Sequence, residues 1–286
     1  MIVKRVVSLF WLLIILTSCS DPNTKEFQVS GVVVEVLEEQ RKLVIDHEEI
    51  PDYMPRMVMP FKVKPGAWDE TIAAGDVLSF EYKVQKTFSW IDNIKKTGTA
   101  ELLEDLVSKA SFGNGTELLS VGDLMDDYAF LGIDGETVRL TDLAGNRIAM
   151  TFIFSRCPVP EYCPRMMRNF SAVAGALEKS DSISDKWTLL TVSFDPEYDT
   201  PEVLDAYGDS FGQESDNWLM MTCEDSETLS KLAVDVGLKF GETNGTYLHN
   251  LRTVVLDEER RVLKIFTDEN WDPEALVDLL VHDEQS

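Results

Sequence analysis

Positive charge is scarce in this sequence. Against 51 aspartates and glutamates stand 26 lysines and arginines, a formal charge of −25. No broad basic face survives that balance, which excludes a nucleic-acid partner. An acidic, solvated exterior attracts cations without specifying one. Histidine is rarer still, at 3 in 286 residues, and there are only 4 cysteines. No proline occurs between Pro201 and Pro273, and no internal repeat or low-complexity segment is present. The apolar run from Val6 to Leu16 is too short to cross a bilayer as a stable helix. What the chain does have is length and an apolar fraction of 44%, enough for two packed domains.

That apolar run follows Lys4 and Arg5 and gives way abruptly to SDPNTKEFQ, the layout of a signal h-region. Its end, Leu16-Thr17-Ser18-Cys19, resembles a bacterial lipobox. The resemblance implies that residues 1–18 are a lipoprotein signal peptide, that Cys19 is lipidated, and that 19–27 form a tether. The expected location is therefore a membrane of the bacterial envelope, lipid-anchored and facing the periplasm, with inner or outer membrane left open. Export would place Cys157, Cys163 and Cys223 in an oxidising compartment, where an unprotected thiol is a liability. Cys223, where a strand gives way to a helix in WLMMTCEDSETLSKL, reads as structural.

Two periods divide the remainder. From Gln28 to about Gln85, short β-type runs (VSGVVVEVLEE, RKLVID, MVMPFKV, VLSFEYKVQ) are separated by turn residues. So many strands in so few residues must curl into a small barrel to hide their edges, assigned to 28–100. Residues 101–122, with KASFGNGTE, read as a linker. From Asp123 strands and helices alternate: IAMTFIFS, PRMMRNFSAVAGALEKS, WTLLTVSFD, TPEVLDAYGDSF, NWLMMT and SETLSKLAVDVGL. A hairpin, RTVVLDEERRVLKIFTD, and a last helix, DPEALVDLLVHDE, follow. That order predicts an α/β thioredoxin-like domain over 123–284.

The stretch FSRCPVPEYCPRM places Cys157 after a buried strand and Cys163 just ahead of a helix opened by Pro164. Exposed N–H groups at a helix start, with Arg156 and Arg165 nearby, favour the thiolate. A structural disulfide, redox chemistry and soft-metal binding all remain open to such a pair. Thioredoxin-type oxidoreductases present a proline beside the cysteines, ahead of a later strand, and this chain has none there. His249, in GTYLHNL just before RTVVLD, takes that place on a loop facing the cysteines. Two thiolates and an imidazole make a soft trigonal set suited to Cu(I) and able to accept Cu(II).

Together, FSRCPVPEYCP, SFDPEYDTPEVL and YLHNLRTVVLDE resemble the SCO/SenC family of copper chaperones for cytochrome oxidase assembly, over about Asp123 to His282. The resemblance implies copper ligation by Cys157, Cys163 and His249, with Asp195 as an acidic neighbour supporting them. The cysteines depart from the usual family spacing of three residues: five intervene here, among them Pro158 and Pro160.

A second cluster lies in DHEEIPDYMPRMVMPF. Met57 and Met59 alternate on a strand and so share one face, and His47, ending the strand before, reaches the same face. Thioethers can fill a core, but they also suit Cu(I) or Ag(I), and they resist disulfide formation. A polar, proline-punctuated segment suggests a barrel rim rather than a core. The segment is similar to the CusF-like periplasmic copper-binding domain, an OB-like barrel, which implies His47, Met57 and Met59 as ligands. The aromatic cap of that family falls near Met54, which could add a third thioether.

The fold expected is thus an α/β thioredoxin-like domain preceded by a small all-β OB-like barrel. The function expected is that of a membrane-tethered copper chaperone delivering Cu(I) or Cu(II) to the copper-receiving subunit of a terminal oxidase, with enzymatic activity left open. Ag(I) would serve as a surrogate at the methionine site. A thiol–disulfide oxidoreductase using Cys157 and Cys163, and a passive copper-buffering lipoprotein, are the competing readings.

Overall fold

Alternating burial builds the first sheet. The computed structural model describes residues 23–101, 118–179, 186–223, 225–243 and 246–281. The expectations for the signal peptide, Cys19 and most of the linker therefore fall outside the described residues. Strands β1 (Lys25–Leu37), β2 (Lys42–His47), β3 (Met57–Lys62), β4 (Asp76–Val84) and β5 (Ser89–Thr99) pair antiparallel in the order β3-β2-β1-β4-β5. Along β4, buried and half-buried residues alternate without a break. A bulge between Val33 and Glu35 bends β1, and a parallel bridge from Val63 to Ile91 brings the two ends of the sheet together. The edges close into the small OB-like barrel.

A second sheet runs β14-β13-β8-β9-β10-β6-β7. Its centre is the parallel trio β8 (Arg147–Ile153), β9 (Trp187–Ser193) and β10 (Trp218–Thr222), every residue of β9 being buried. Such continuous apolar strands need cover on both faces. Hairpin β6 (Ala129–Gly132) and β7 (Thr137–Arg139) extends one side, and β13 (Thr253–Leu256) with β14 (Val262–Phe266) the other. Helix α1 (Cys163–Leu177) turns Met166, Met167, Phe170, Val173, Ala174 and Leu177 inward at helical spacing. It packs with α4 (Pro273–Val281) over β8. Between them come α2 (Pro201–Asp209) and α3 (Ser226–Val236), the latter capped by the Asp225 carboxylate and ended by left-handed Gly237. This is the thioredoxin-like fold.

Three elements differ from the sequence expectation. Strand β5 and the β6–β7 hairpin are additions. A further two-stranded hairpin, β11 (Phe240–Thr243) and β12 (Thr246–His249), precedes β13, so His249 ends a strand rather than lying on a loop. No helix among the described residues is long and apolar enough to cross a membrane.

Candidate metal centre

Between β8 and α1 the chain makes two tight turns, with Cys157 N–H donating to the Phe154 carbonyl and Tyr162 N–H to that of Val159. Pro164 in the first turn of α1 suits a position where no intrahelical N–H partner exists. Cys163 is thereby the first helical residue and fully buried, and Cys157 is buried beside it. His249 arrives from the end of β12. The ligand-capable atoms of Cys157, Cys163 and His249 all lie within 4.8 Å of one another. Cys163 Sγ is 3.7 Å from His249 Nε2.

The histidine is oriented by its other nitrogen. Nδ1 lies 2.9 Å from the Asn250 carbonyl, which can only accept, so in the neutral ring Nδ1 carries the proton and Nε2 offers its lone pair to the thiols. Phe154, Tyr162 and Phe194 pack against the imidazole. Two sulfurs and one nitrogen in an aromatic enclosure form a donor set that fits a soft ion such as Cu(I).

Burial opposes ionisation of both thiols, yet they are driven apart. A hydrogen bond from Cys163, and one from the His249 imidazolium when that ring is protonated at both nitrogens, hold Cys157 well below the ordinary thiol value. Burial, and then the neighbouring Cys157 sulfur, push Cys163 well above it. The sequence pointed to Cys163 as the thiol favoured by the helix start; the structure assigns that character to Cys157. Burial outweighs the helix-end field at Cys163. Cys223 is buried and a free thiol, pushed up to about 12 by burial and by Asp225.

Asp195 is buried with one oxygen on the Arg156 guanidinium, at 2.6 and 3.1 Å, and the other 3.4 Å from the Tyr247 hydroxyl. It thus braces the residue preceding Cys157. Asp199, which the sequence did not single out, accepts from Ser155 N–H, from the Ser155 hydroxyl and from Ser193. Its signal was the third acid of SFDPEYDT, indistinguishable there from a solvated charge.

In the barrel, His47 stands opposite Met57 in the ladder, and Ile45 opposite Met59. His47 is buried, its Nδ1 lies 2.6 Å from the Glu48 carbonyl, and Nε2 has no hydrogen-bond partner. Burial lowers its pKa, so the ring is neutral at pH 7. Met54, Met57 and Met59 are 3%, 5% and 2% exposed, which corrects the expectation of a rim. The cover comes from the second domain. Met57 and Met59 line the same small cavity as Cys157 and His249, and β3 lies against β12.

Polar contacts hold the two domains in that pose. The Tyr53 hydroxyl donates to the Pro158 carbonyl at 2.7 Å, and Ser89 donates from both N–H and hydroxyl to the Glu161 carboxylate. Lys42 Nζ pairs with Glu269 at 2.7 Å. Pro158 and Glu161 both belong to the five residues separating the cysteines. Neither Tyr53 nor Glu161 carried any mark in the sequence.

Residues 117–282 match the SCO1/SenC family, and residues 26–96 match the copper binding periplasmic protein CusF. No curated protein matches the chain. Among solved structures, a SCO1/SenC family lipoprotein from Bacillus anthracis is 22% identical, with a TM-score of 0.50, over 55% of this chain and 94% of that one. Bradyrhizobium japonicum ScoI with copper bound is 23% identical, with a TM-score of 0.45, over 55% and 98%. BsSco, a member of the Sco family of cytochrome c oxidase assembly proteins, is 21% identical, with a TM-score of 0.49, over 57% and 95%.

Proposed function

Because this chain belongs to the SCO1/SenC family, we propose that it binds copper through Cys157, Cys163 and His249 and delivers it to the copper centre of a terminal oxidase during assembly. The convergence of two sulfurs and a prepared imidazole nitrogen within 4.8 Å carries this reading. Cu(I) would take two thiolates and Nε2 in a site closed to water by aromatic rings, and the imidazole nitrogen makes Cu(II) an acceptable second state. The barrel, through its match to a periplasmic copper binding protein, would add soft donors drawn from His47, Met57 and Met59, with Met54 beside them. A lipid on Cys19 would hold both domains at the membrane surface, facing the periplasm; an unmodified Cys19 in the mature chain by mass spectrometry would remove the anchor.

The test is Cu(I) titration of the reduced full chain against a chromophoric chelator. Cys157→Ser/Cys163→Ser should abolish tight binding, and His249→Ala should weaken it without unfolding the protein. Unchanged binding by both variants would overturn the reading. A second reading draws on the unequal thiols. A Cys157 thiol held low beside a Cys163 thiol pushed up is also the arrangement a thiol–disulfide oxidoreductase uses to attack and then resolve a mixed disulfide. It predicts reductase turnover that survives His249→Ala, whereas the copper reading predicts none of consequence.

A further inference from the structure

Members of both ligand sets, which the sequence places in separate domains about a hundred residues apart, line one small cavity: Met57 and Met59 from the barrel, Cys157 and His249 from the second domain. Met57 and Met59 project from the sheet face that Phe61 of β3 and His47 of the neighbouring β2 also occupy, and β3 runs against β12, which ends at His249. The cavity they line together with Cys157, Tyr162 and His249 measures about 10 Å³. That is close to what a single water or bare ion occupies. Room for one ion, lined by donors from both domains, is not the layout of two independent sites.

Chemistry narrows this further. An ion held by Cys157, Cys163 and His249 has aromatic walls around it and no space for a hydration shell. Any further donor must come from the protein, and the barrel presents thioethers there, neutral and soft enough for Cu(I). They add coordination without adding charge to a pair of thiolates. The pose is held by the inter-cysteine loop itself, through the Pro158 carbonyl and the Glu161 carboxylate. The residues that separate the thiols are those that seat the barrel over them.

We propose that, granted the copper reading above, a single Cu(I) is held jointly by both domains: by Cys157, Cys163 and His249 from one and by the thioether of Met57 or Met59 from the other. Binding changes no oxidation state; each cysteine that ligates as thiolate releases its proton to solvent, and the thioethers release none. His47, across the ladder from Met57, then orders the strand that presents the thioethers rather than binding this ion.

The test uses selenomethionine-labelled full chain, reduced and loaded with one equivalent of Cu(I), read by X-ray absorption at the copper and selenium edges. The expected result is copper–selenium scattering together with copper–sulfur scattering at that first equivalent. Met57→Leu/Met59→Leu, which conserves volume, should lose the selenium contribution and keep the sulfur one. Copper–selenium scattering that appears only with a second equivalent would mean two separate sites and overturn the joint site, leaving the copper function intact. Persistence of that scattering in the double-leucine variant would overturn it equally, by assigning the contact to another methionine. Loss of all copper–sulfur scattering would instead remove the copper reading on which the proposal rests.

Discussion

Asp199 fastens the chain two residues ahead of Cys157 through Ser155, and ties in Ser193 at the end of β9. Removing the carboxylate would strand a buried N–H and two hydroxyls. Asp199→Ala should therefore cost about 1–3 kcal/mol in denaturant unfolding. Asp199→Asn can satisfy the same three groups once a hydroxyl rotates, and should cost much less. The pH dependence has a definite sign. Burial raises the Asp199 carboxyl above its ordinary value, with the Ser155 and Ser193 hydrogen bonds offsetting only part. The stabilisation tied to that bound proton is complete below the ordinary carboxylate value and is lost as pH rises through the raised folded one. Relative to wild type, Asp199→Asn should gain stability across that interval and then level off. Urea midpoints for both proteins, measured from acid to neutral pH, check this; a constant difference would mean that Asp199 titrates alike in the folded and the unfolded chain. At this scale the thiols, the imidazole and the methionines stood out as rare residue types, whereas Asp199 was one acid among 51.

Strand β1 approaches β2 closely enough that one glycine decides their spacing. A Cβ at Gly31 would sit 2.5 Å from Ile45 Cγ2 and 2.7 Å from the Asp46 carbonyl oxygen, both rigidly placed. Gly31→Ala should cost about 1–3 kcal/mol through overpacking and shift the β2 end that carries His47. Thermal unfolding reads the first effect and the chemical shifts of the His47 ring the second; an unchanged melting temperature would mean the sheet relaxes freely there. Most strands and helices were legible because one face or both are buried along their whole length. Strand β5 was not, since its largely exposed second half, NIKKTGT, shows no alternation. The β11–β12 hairpin has four-residue strands, too short for a period to register.

At the scale of the whole molecule, the barrel works as a cover over the thiols. Cys157 is only 8% exposed with the barrel seated. The Glu161 contact to Ser89 and the Tyr53 contact to Pro158 hold that cover directly against the inter-cysteine loop. Glu161→Ala with Tyr53→Phe should raise the population in which the domains part, and so speed alkylation of Cys157 by the neutral reagent iodoacetamide. Peptide mass mapping over time would follow it, with the buried thiol Cys223 as internal reference. Equal alkylation rates in the variant and the wild type would show that other contacts keep the interface closed.

Local periodicity and residue rarity were enough to divide the chain into an all-β part and an α/β part and to single out Cys157, Cys163, His249, His47, Met57 and Met59. Those properties are written into neighbouring residues: a period of two for strands, a helical period after Pro164, soft donors in a chain whose charged residues are mostly carboxylates. Which thiol is held low, which way His249 Nε2 points, and that Met57 and Met59 share a cavity with Cys157 were decided only by the tertiary structure. Each depends on burial and on contacts such as Tyr53 to Pro158, made between residues about a hundred positions apart. No local pattern encodes such a contact, because its energy exists only once both domains have folded and met.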